Sequence, residues 1–346
     1  MTLNKIRVVV ADDSGFMRLL ISDILSESGS VEVVGTAVDG KDAALKVAEL
    51  KPDVLLLDMN MGEYDGLYAV KRIMEESPLP IIILSSIGNT NLQPIFDALD
   101  LGAVDYLNKP QKGNSKLRNI EVELLQKIKS AKRANAGAIP NPHAKVNTYE
   151  HTFSDKRKYD VIVIGASTGG PSAIEKVINS LPGNLNVPVL ICQHMPPNFI
   201  PSFVKRLNGM SPLKIEVGQA NMRPKAGTII VAPGESNMIV TKKRGGGVVI
   251  DFTDKVFPEY NNPSINALML SVAEAYKDKS IGVILTGMGK DGMLGMKEIK
   301  KYGGFTIAQS EKSCVIYGMP KAAVEQKVVD RSVDIKEIGG FLVNSL

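Results

Sequence analysis

The sequence predicts an α/β protein of two domains, each built on a parallel sheet. Three observations carry that prediction. Short Val/Ile/Leu runs alternate with amphipathic stretches through the first 110 residues. A polar, small-residue stretch follows, and a second strand–helix pattern begins at YDVIVIGASTGG. Strands that alternate with helices of this length give parallel sheets covered on both faces.

In the first pattern the apolar runs fall at residues 8–10, 31–34, 54–57, 81–84 and 104–107, with amphipathic stretches such as 16–28 and 41–50 between them. Five βα units in this span fit a flavodoxin-like doubly wound fold. Residues 113–133 read as a closing helix, because Leu117, Ile120, Leu124, Leu125 and Ile128 recur at helical spacing. The stretch AKRANAGAIPNPHAKVNTYEHTFSDKRK has too few large apolar side chains to bury a core and reads as a linker over 131–158. The expected domains are therefore 1–130 and 159–346.

In the second domain apolar runs recur at 161–164, 187–192, 228–231, 238–240, 248–252 and 281–285, and 171–181, 263–276 and 292–302 read as helices. The close spacing between 213 and 252 suggests hairpins, with a turn at 244–247. This domain is expected to be doubly wound and mainly parallel, with an antiparallel portion.

Bulk composition narrows the function classes. The 346 residues are 44% hydrophobic and 23% charged, with a formal charge of +4, ordinary for a globular protein. No Lys/Arg-rich block marks a nucleic-acid partner. Two cysteines, Cys192 and Cys314, make neither a disulfide framework nor a metal-ligand spacing. The N-terminus resembles neither a signal peptide nor a membrane span, so a cytoplasmic protein is expected.

Carboxylates gather at strand ends in the first domain. Asp12 and Asp13 follow the first strand and Asp58 ends the third; Ser85 ends the fourth and Lys109 the fifth. In a doubly wound sheet these ends meet at one edge. Clustered carboxylates repel unless a hard cation such as Mg²⁺ lies among them, and a carboxylate beside Mg²⁺ can accept a phosphoryl group. Taken singly, an Asp at a strand end can equally be a helix cap or turn residue.

The pattern VVVADDSGFMR, LLLDMNMGEYDG, IIILSS and GAVDYLNKP resembles the receiver domain of two-component response regulators over residues 5–128. The resemblance implies phosphorylation of Asp58, with Asp12, Asp13, Asp58 and the Asn60 carbonyl around Mg²⁺. It also implies that Ser85 and Lys109 contact the phosphoryl group and that Tyr106 is a switch aromatic, for which plain core packing is the alternative.

In the second domain Gly165-Ala166-Ser167-Thr168-Gly169-Gly170 follows a strand and precedes Pro171, a good first helical residue. That context suits a G-x-S-x-G nucleophile, with backbone N–H groups near a developing oxyanion. A phosphate cradle or a plain tight turn remains open at this point, although G-x-G-x-x-G and a following Walker-type Lys are both missing. His194 alone of three histidines follows a strand, and an imidazole with a reference pKa of about 6.5 suits a general base. Asp291 follows another strand in a Gly-rich loop and could orient that imidazole; alone, it reads as well as an N-cap for the next helix. The chain order Ser, His, Asp departs from the Ser, Asp/Glu, His order of α/β-hydrolases.

IGASTGGP, CQHMPPNF, VAPG, PSINALMLSVA and LTGMGKDGMLGM resemble the catalytic domain of chemotaxis receptor methylesterases over 159–346. The resemblance implies Ser167 as nucleophile, His194 as base and Asp291 as orienter, with Thr168 and Met288 at the oxyanion or active-site wall. It further implies phosphorylation-activated hydrolysis of glutamate γ-methyl esters, and glutamine deamidation by the same geometry. Implied partners are methyl-accepting receptors, the only link to a membrane, and a chemotaxis histidine kinase. The receiver would cover the Ser167 crevice until phosphorylated. No cofactor is expected for hydrolysis, and a monomer is expected. A response regulator with a DNA-binding, nucleotide-binding or non-catalytic output domain is the competing reading.

Overall fold

The computed structural model describes residues 5–86, 91–109, 117–134, 158–259 and 262–346. The chain divides into two compact units, Met1–His143 and Ala144–Leu346. Of the linker expected over 131–158, positions 135–157 lie outside the described residues.

In the first unit β1 (Ile6–Ala11), α1 (Gly15–Glu27), β2 (Val31–Ala37), α2 (Gly40–Leu50) and β3 (Val54–Asp58) are followed by α3 (Gly66–Glu76), β4 (Ile81–Ser85), α4 (Gln93–Asp100), β5 (Asp105–Asn108) and α5 (Leu117–Ala131). The strands run parallel in the order β2-β1-β3-β4-β5. β3 and β4 are buried along their whole length, which explains why they read as unbroken apolar runs rather than as alternation. Ser14, Asp39 and Asp65 cap α1, α2 and α3 by accepting amide hydrogen bonds from Met17, Asp42 and Tyr68, so each chain turn from strand to helix is fixed locally.

The second unit contains β6 (Val161–Ala166), α6 (Gly170–Asn179), β7 (Val189–Gln193), α7 (Ile200–Met210), β8 (Lys214–Val217), β9 (Thr228–Val231), β10 (Asn237–Lys242) and β11 (Val248–Thr253). Then come α8 (Ile265–Tyr276), β12 (Ser280–Ile284), α9 (Met293–Lys301), β13 (Phe305–Gln309), α10 (Met319–Glu325), β14 (Arg331–Val333) and α11 (Ile335–Ser345). Seven strands form one parallel sheet in the order β14-β13-β12-β6-β7-β9-β8. β10 and β11 form a separate antiparallel pair, with Gly246 and Gly247 at positive φ in its turn.

One local expectation is corrected. The runs between 213 and 231 are not hairpin strands: β8 and β9 pair in parallel within the main sheet. Their spacing misleads because parallel neighbours usually need a longer crossover, whereas residues 218–227 return the chain here. β13 and β14 join the far edge without a long apolar run to announce them.

The hairpin lies on α8. Met238, Val240 and Ile250 share one buried cluster with Leu268, Met269 and Val272 of α8 and with Met296 and Ile299 of α9. The Val240 amide also donates to Ser271 Oγ at 3.0 Å. Full burial of each such side chain contributes about 1.5–3 kcal/mol. This packing fixes the N-terminus of α8, on which the site below depends.

The α8–α9 contact sets a test. A Cβ at Gly295 would run into Met269, whose Cα would lie only 3.3 Å away. Overpacking of this kind costs about 1–3 kcal/mol, against about 1 kcal/mol gained in helix propensity. Gly295→Ala is therefore expected to lower stability. Gly209→Ala in α7, where nothing stands within 4 Å, is expected to raise it by about 0.5–1 kcal/mol. Urea unfolding of the full chain, read by hydrogen exchange at α8 and α7 amides, checks both; a stabilised Gly295→Ala chain contradicts the packing.

Candidate active site

β12, β6 and β7 are neighbours in the second sheet, and each ends in a loop that carries one predicted residue. Strand order reverses between β12 and β6, and the crevice at such a switch point is where open α/β sheets place ligands.

Ser167 is the first residue after β6. Its N–H donates to Thr286 O at 3.1 Å, and its carbonyl accepts from the Gly170 N–H at 2.7 Å. The turn is thus pinned before α6 begins, with Gly169 as the cap residue and a proline in the first turn. Gly287 approaches so closely that a Cβ there would stand 2.7 Å from Ser167 Cβ; any side chain would displace Ser167.

His194 follows β7 and donates its N–H to Ala166 O at 3.0 Å. Its Nδ1 lies 3.2 Å from Ser167 Oγ and its Nε2 lies 2.8 Å from Asp291 Oδ2. With Nε2–H donating to the carboxylate, Nδ1 is left to accept the serine proton. Hydroxyl, imidazole and carboxylate, remote in the chain, form one continuous relay. The ring nitrogens have the opposite assignment from the chymotrypsin arrangement, in which Nε2 faces the serine.

Asp291 is completely buried. Besides His194, it accepts from the N–H groups of Ile265 at 2.8 Å, Asn266 at 2.9 Å and Gly292 at 2.9 Å. The first two belong to the N-terminus of α8. The alternative reading of Asp291 as cap of the following helix therefore misses where the side chain goes: Gly292 occupies the cap position of α9. Burial raises the Asp291 pKa, but the His194 hydrogen bond and charge and the two α8 amides outweigh it, so the group sits below its ordinary value. A carboxylate at a helix N-terminus also gains from the aligned peptide dipoles.

Thr168 is buried beside Ser167, and Met288 is half-buried on the loop that follows β12. Three participants escaped the sequence reading. Thr286 Oγ lies 3.0 Å from Thr168 O and accepts from the Ile316 N–H at 2.9 Å. Gln309 Oε1 accepts from the Thr286 N–H at 2.8 Å. Gln193 holds the carbonyls of both Ser167 and His194. Thr286 and Gln193 each adjoin a strand end, which was the one signal available; Gln309 gave none.

The first unit gathers its own cluster, again at a switch point, between β1 and β3. Carboxylate oxygens of Asp12, Asp13 and Asp58 all lie within 4.8 Å of one another. Lys109 Nζ stands 2.7 Å from both Asp12 Oδ2 and Asp58 Oδ2. Burial raises the Asp58 pKa, the Lys109 hydrogen bond and charge lower it, Asp12 raises it and the Asn60 amide lowers it, with a net rise. Burial lowers the Lys109 pKa, but the hydrogen bonds and charges of Asp12 and Asp58 prevail and raise it. Three converging hard oxygen donors with excess negative charge fit a Mg²⁺ ion. Ser85 is buried, its carbonyl accepts from the Lys109 N–H at 2.7 Å, and its hydroxyl has no partner among the described residues. Asn60 is exposed on the loop after β3. Tyr106 is buried on β5, with Lys127 Nζ 5.8 Å from its ring centre.

Comparison with known proteins agrees in both units. The family model for the CheB methylesterase matches residues 162–342, and that for the response regulator receiver domain matches 8–121. The protein-glutamate methylesterase/protein-glutamine glutaminase of Archaeoglobus fulgidus is 40% identical over 344 residues, covering 98% of each chain. That of Pyrococcus abyssi is 36% identical over 350 residues, covering 100% of this chain and 95% of its own. The crystal structure of the Thermotoga maritima CheB methylesterase catalytic domain superposes with a TM-score of 0.51 at 35% identity, covering 54% of this chain and 99% of that one. The two sheets, their motifs and these full-length relatives together make this chain a member of the CheB methylesterase family, with a response regulator receiver domain preceding the methylesterase domain.

Proposed function

We propose that this chain hydrolyses γ-methyl esters of glutamate on chemotaxis receptors, under control of phosphorylation at Asp58. The observation that carries the reading is the relay Ser167 Oγ, His194 Nδ1, His194 Nε2, Asp291 Oδ2, with links of 3.2 and 2.8 Å.

Ser167 Oγ attacks the ester carbonyl while its proton passes to His194 Nδ1. Asp291 stabilises the imidazolium through Nε2 and holds the ring in place. The tetrahedral intermediate collapses, methanol leaves with the proton from Nδ1, and a glutamyl-serine ester remains. Water then attacks that ester with His194 again as base, regenerating Ser167 and releasing glutamate. A glutamine side chain reacts by the same steps with ammonia as the leaving group. We assign Thr168 and Met288 to the wall that faces the oxyanion, on the resemblance of their motifs to those of the methylesterase family.

In the receiver, Asp58 takes the phosphoryl group from a histidine kinase. Asp12, Asp13, Asp58 and the Asn60 carbonyl would hold Mg²⁺, which offsets the negative charge that gathers there. Ser85 and Lys109 bind phosphoryl oxygens. Lys109 must then exchange its bonds to Asp12 and Asp58, and Tyr106 repacks as the switch. This is a shift between populations with different contacts. Residues 1–130 act as receiver, 131–158 as linker and 159–346 as esterase. Among the described residues no helix is long and apolar enough to cross a membrane; the membrane is met through the receptors, in the cytoplasm, by a monomer.

Methanol release from methylated receptor by the purified chain tests the chemistry. Ser167→Ala is expected to lower kcat by about 10⁴–10⁶-fold with the fold retained. Asp291→Asn is expected to lower it by about 10⁴-fold and also to reduce stability, since its amide nitrogen cannot accept from the α8 N–H groups. Full activity in Ser167→Ala would sink the esterase reading.

The acid limb of the activity provides a second test. The folded pKa of Asp291 lies below its unfolded value. The stability it adds is therefore fully present above the unfolded value of about 3.9 and is lost as pH falls through the lower folded value. Activity should disappear on acidification, because a general base acts only in its unprotonated form, while the fold persists. Parallel kcat/KM and circular dichroism profiles check this; coincident loss of both contradicts it.

For control by the receiver, a small-molecule phosphodonor with Mg²⁺ should raise the esterase rate several-fold, and Asp58→Asn or chelation of Mg²⁺ should abolish the rise. Equal rates under all of these conditions remove the gating.

A further inference from the structure

Gln193 closes β7, one residue before the base, and is almost wholly buried. Its Nε2 donates to Ser167 O at 3.0 Å and to His194 O at 2.9 Å. Both partners are carbonyl oxygens, so only the NH₂ end of the carboxamide can occupy this position. The pairing of β6 with β7 ends at Ala166 and Gln193, and its last rung is the His194 N–H to Ala166 O bond. Beyond that rung no backbone bond joins the two loops among the described residues, and the Gln193 NH₂ group provides the next link.

The other end of the carboxamide is held by packing alone, since its Oε1 has no hydrogen-bond partner among the described residues. Gly170, the first residue of α6, lies against it, and a Cβ at that position would stand 2.9 Å from Gln193 Cδ. The Ser167 Oγ to His194 Nδ1 separation of 3.2 Å is already at the long end for a hydrogen bond. Slack between the two loops would lengthen it directly.

We propose that Gln193 is a positioning residue that sets the distance from nucleophile to base by tying the Ser167 peptide to the His194 peptide. The inference rests on the Ser167–His194–Asp291 reading. It assigns Gln193 no contact with substrate, so its removal should slow the chemistry and leave binding alone.

The test uses the full chain with Gln193→Met, of similar length but without donors, and Gln193→Glu, which keeps the volume but sets a carboxylate oxygen against two carbonyls. Three quantities are read: the unfolding temperature, the rate constant for labelling of Ser167 by a fluorophosphonate, and kcat and KM on methylated receptor. The fluorophosphonate reports the nucleophilicity of Ser167 without any receptor contact. Labelling and kcat are expected to fall together by about 10–100-fold, a misplacement effect, with KM within about two-fold. A purely structural role would lower the unfolding temperature but leave the labelling rate per folded molecule unchanged. Folded Gln193→Met that labels at the parent rate overturns the inference; if Gln193→Met does not fold, labelling of Gln193→Glu at the parent rate overturns it in the same way. Failure of the parent chain itself to label at Ser167 refutes the triad reading instead, so the two failures are distinguishable.

Discussion

One buried carboxylate must stay ionised where water does not reach. Removing such a charge from water costs several kcal/mol unless donors replace the solvent. Asp291 has four within 2.9 Å: the His194 ring, the amides of Ile265 and Asn266, and that of Gly292. Two of them come from the start of α8, so the position of that helix becomes the position of the carboxylate. α8 is in turn fixed by the hairpin on one side and α9 on another. The alignment of the imidazole is therefore set by ordinary apolar packing remote from Ser167, transmitted through a helix end. An acid that accepts from rigid backbone donors cannot drift as a side-chain pair on loops could, and this matters because the reaction tolerates little misplacement.

The two units use the same topological feature for opposite electrostatic purposes. Each sheet reverses strand order, and the loops on either side of the reversal leave a crevice at the carboxyl ends of the strands. In the first unit the crevice gathers three carboxylates against one lysine, an excess of negative charge ready for a divalent cation and a phosphoryl group. In the second, each polar group is passed to the next in a chain of hydrogen bonds, and the only formal charge in that chain is the one on Asp291, which its donors satisfy. The first arrangement favours the arrival of a charged group. The second favours movement of a proton between fixed atoms.

Around the relay lies a layer of neutral polar groups. Thr286, Gln309 and Gln193 satisfy backbone carbonyls and amides of the nucleophile turn and its neighbours, without adding charge that would disturb the imidazole. Hydroxyl and carboxamide groups suit this role because each can serve as donor or acceptor, and buried peptide groups near a strand end would otherwise go unpaired.

Both sheets were legible from the sequence because buried parallel strands need unbroken Val, Ile and Leu. The polar residues at their ends were legible because Asp58 closes one such run and Asp12, Ser167, His194 and Asp291 follow others. β8 and β9 were not, since two short strands separated by a brief connection look alike whether the chain folds back or crosses over. Nor was the anchoring of Asp291. Taken alone, its position read as a cap for the helix that follows, whereas the side chain also reaches the amides of α8, which begins 26 residues earlier in the chain. The ring orientation of His194 and the reach of Gln193 depend on distances across strands, which no pattern along one strand encodes. The sequence by itself determined which residue types stand at the strand ends, because periodicity and burial are local demands. Tertiary structure alone decided which of them touch, because contact between loops far apart in the chain is fixed by how the sheet orders its strands and how its helices pack.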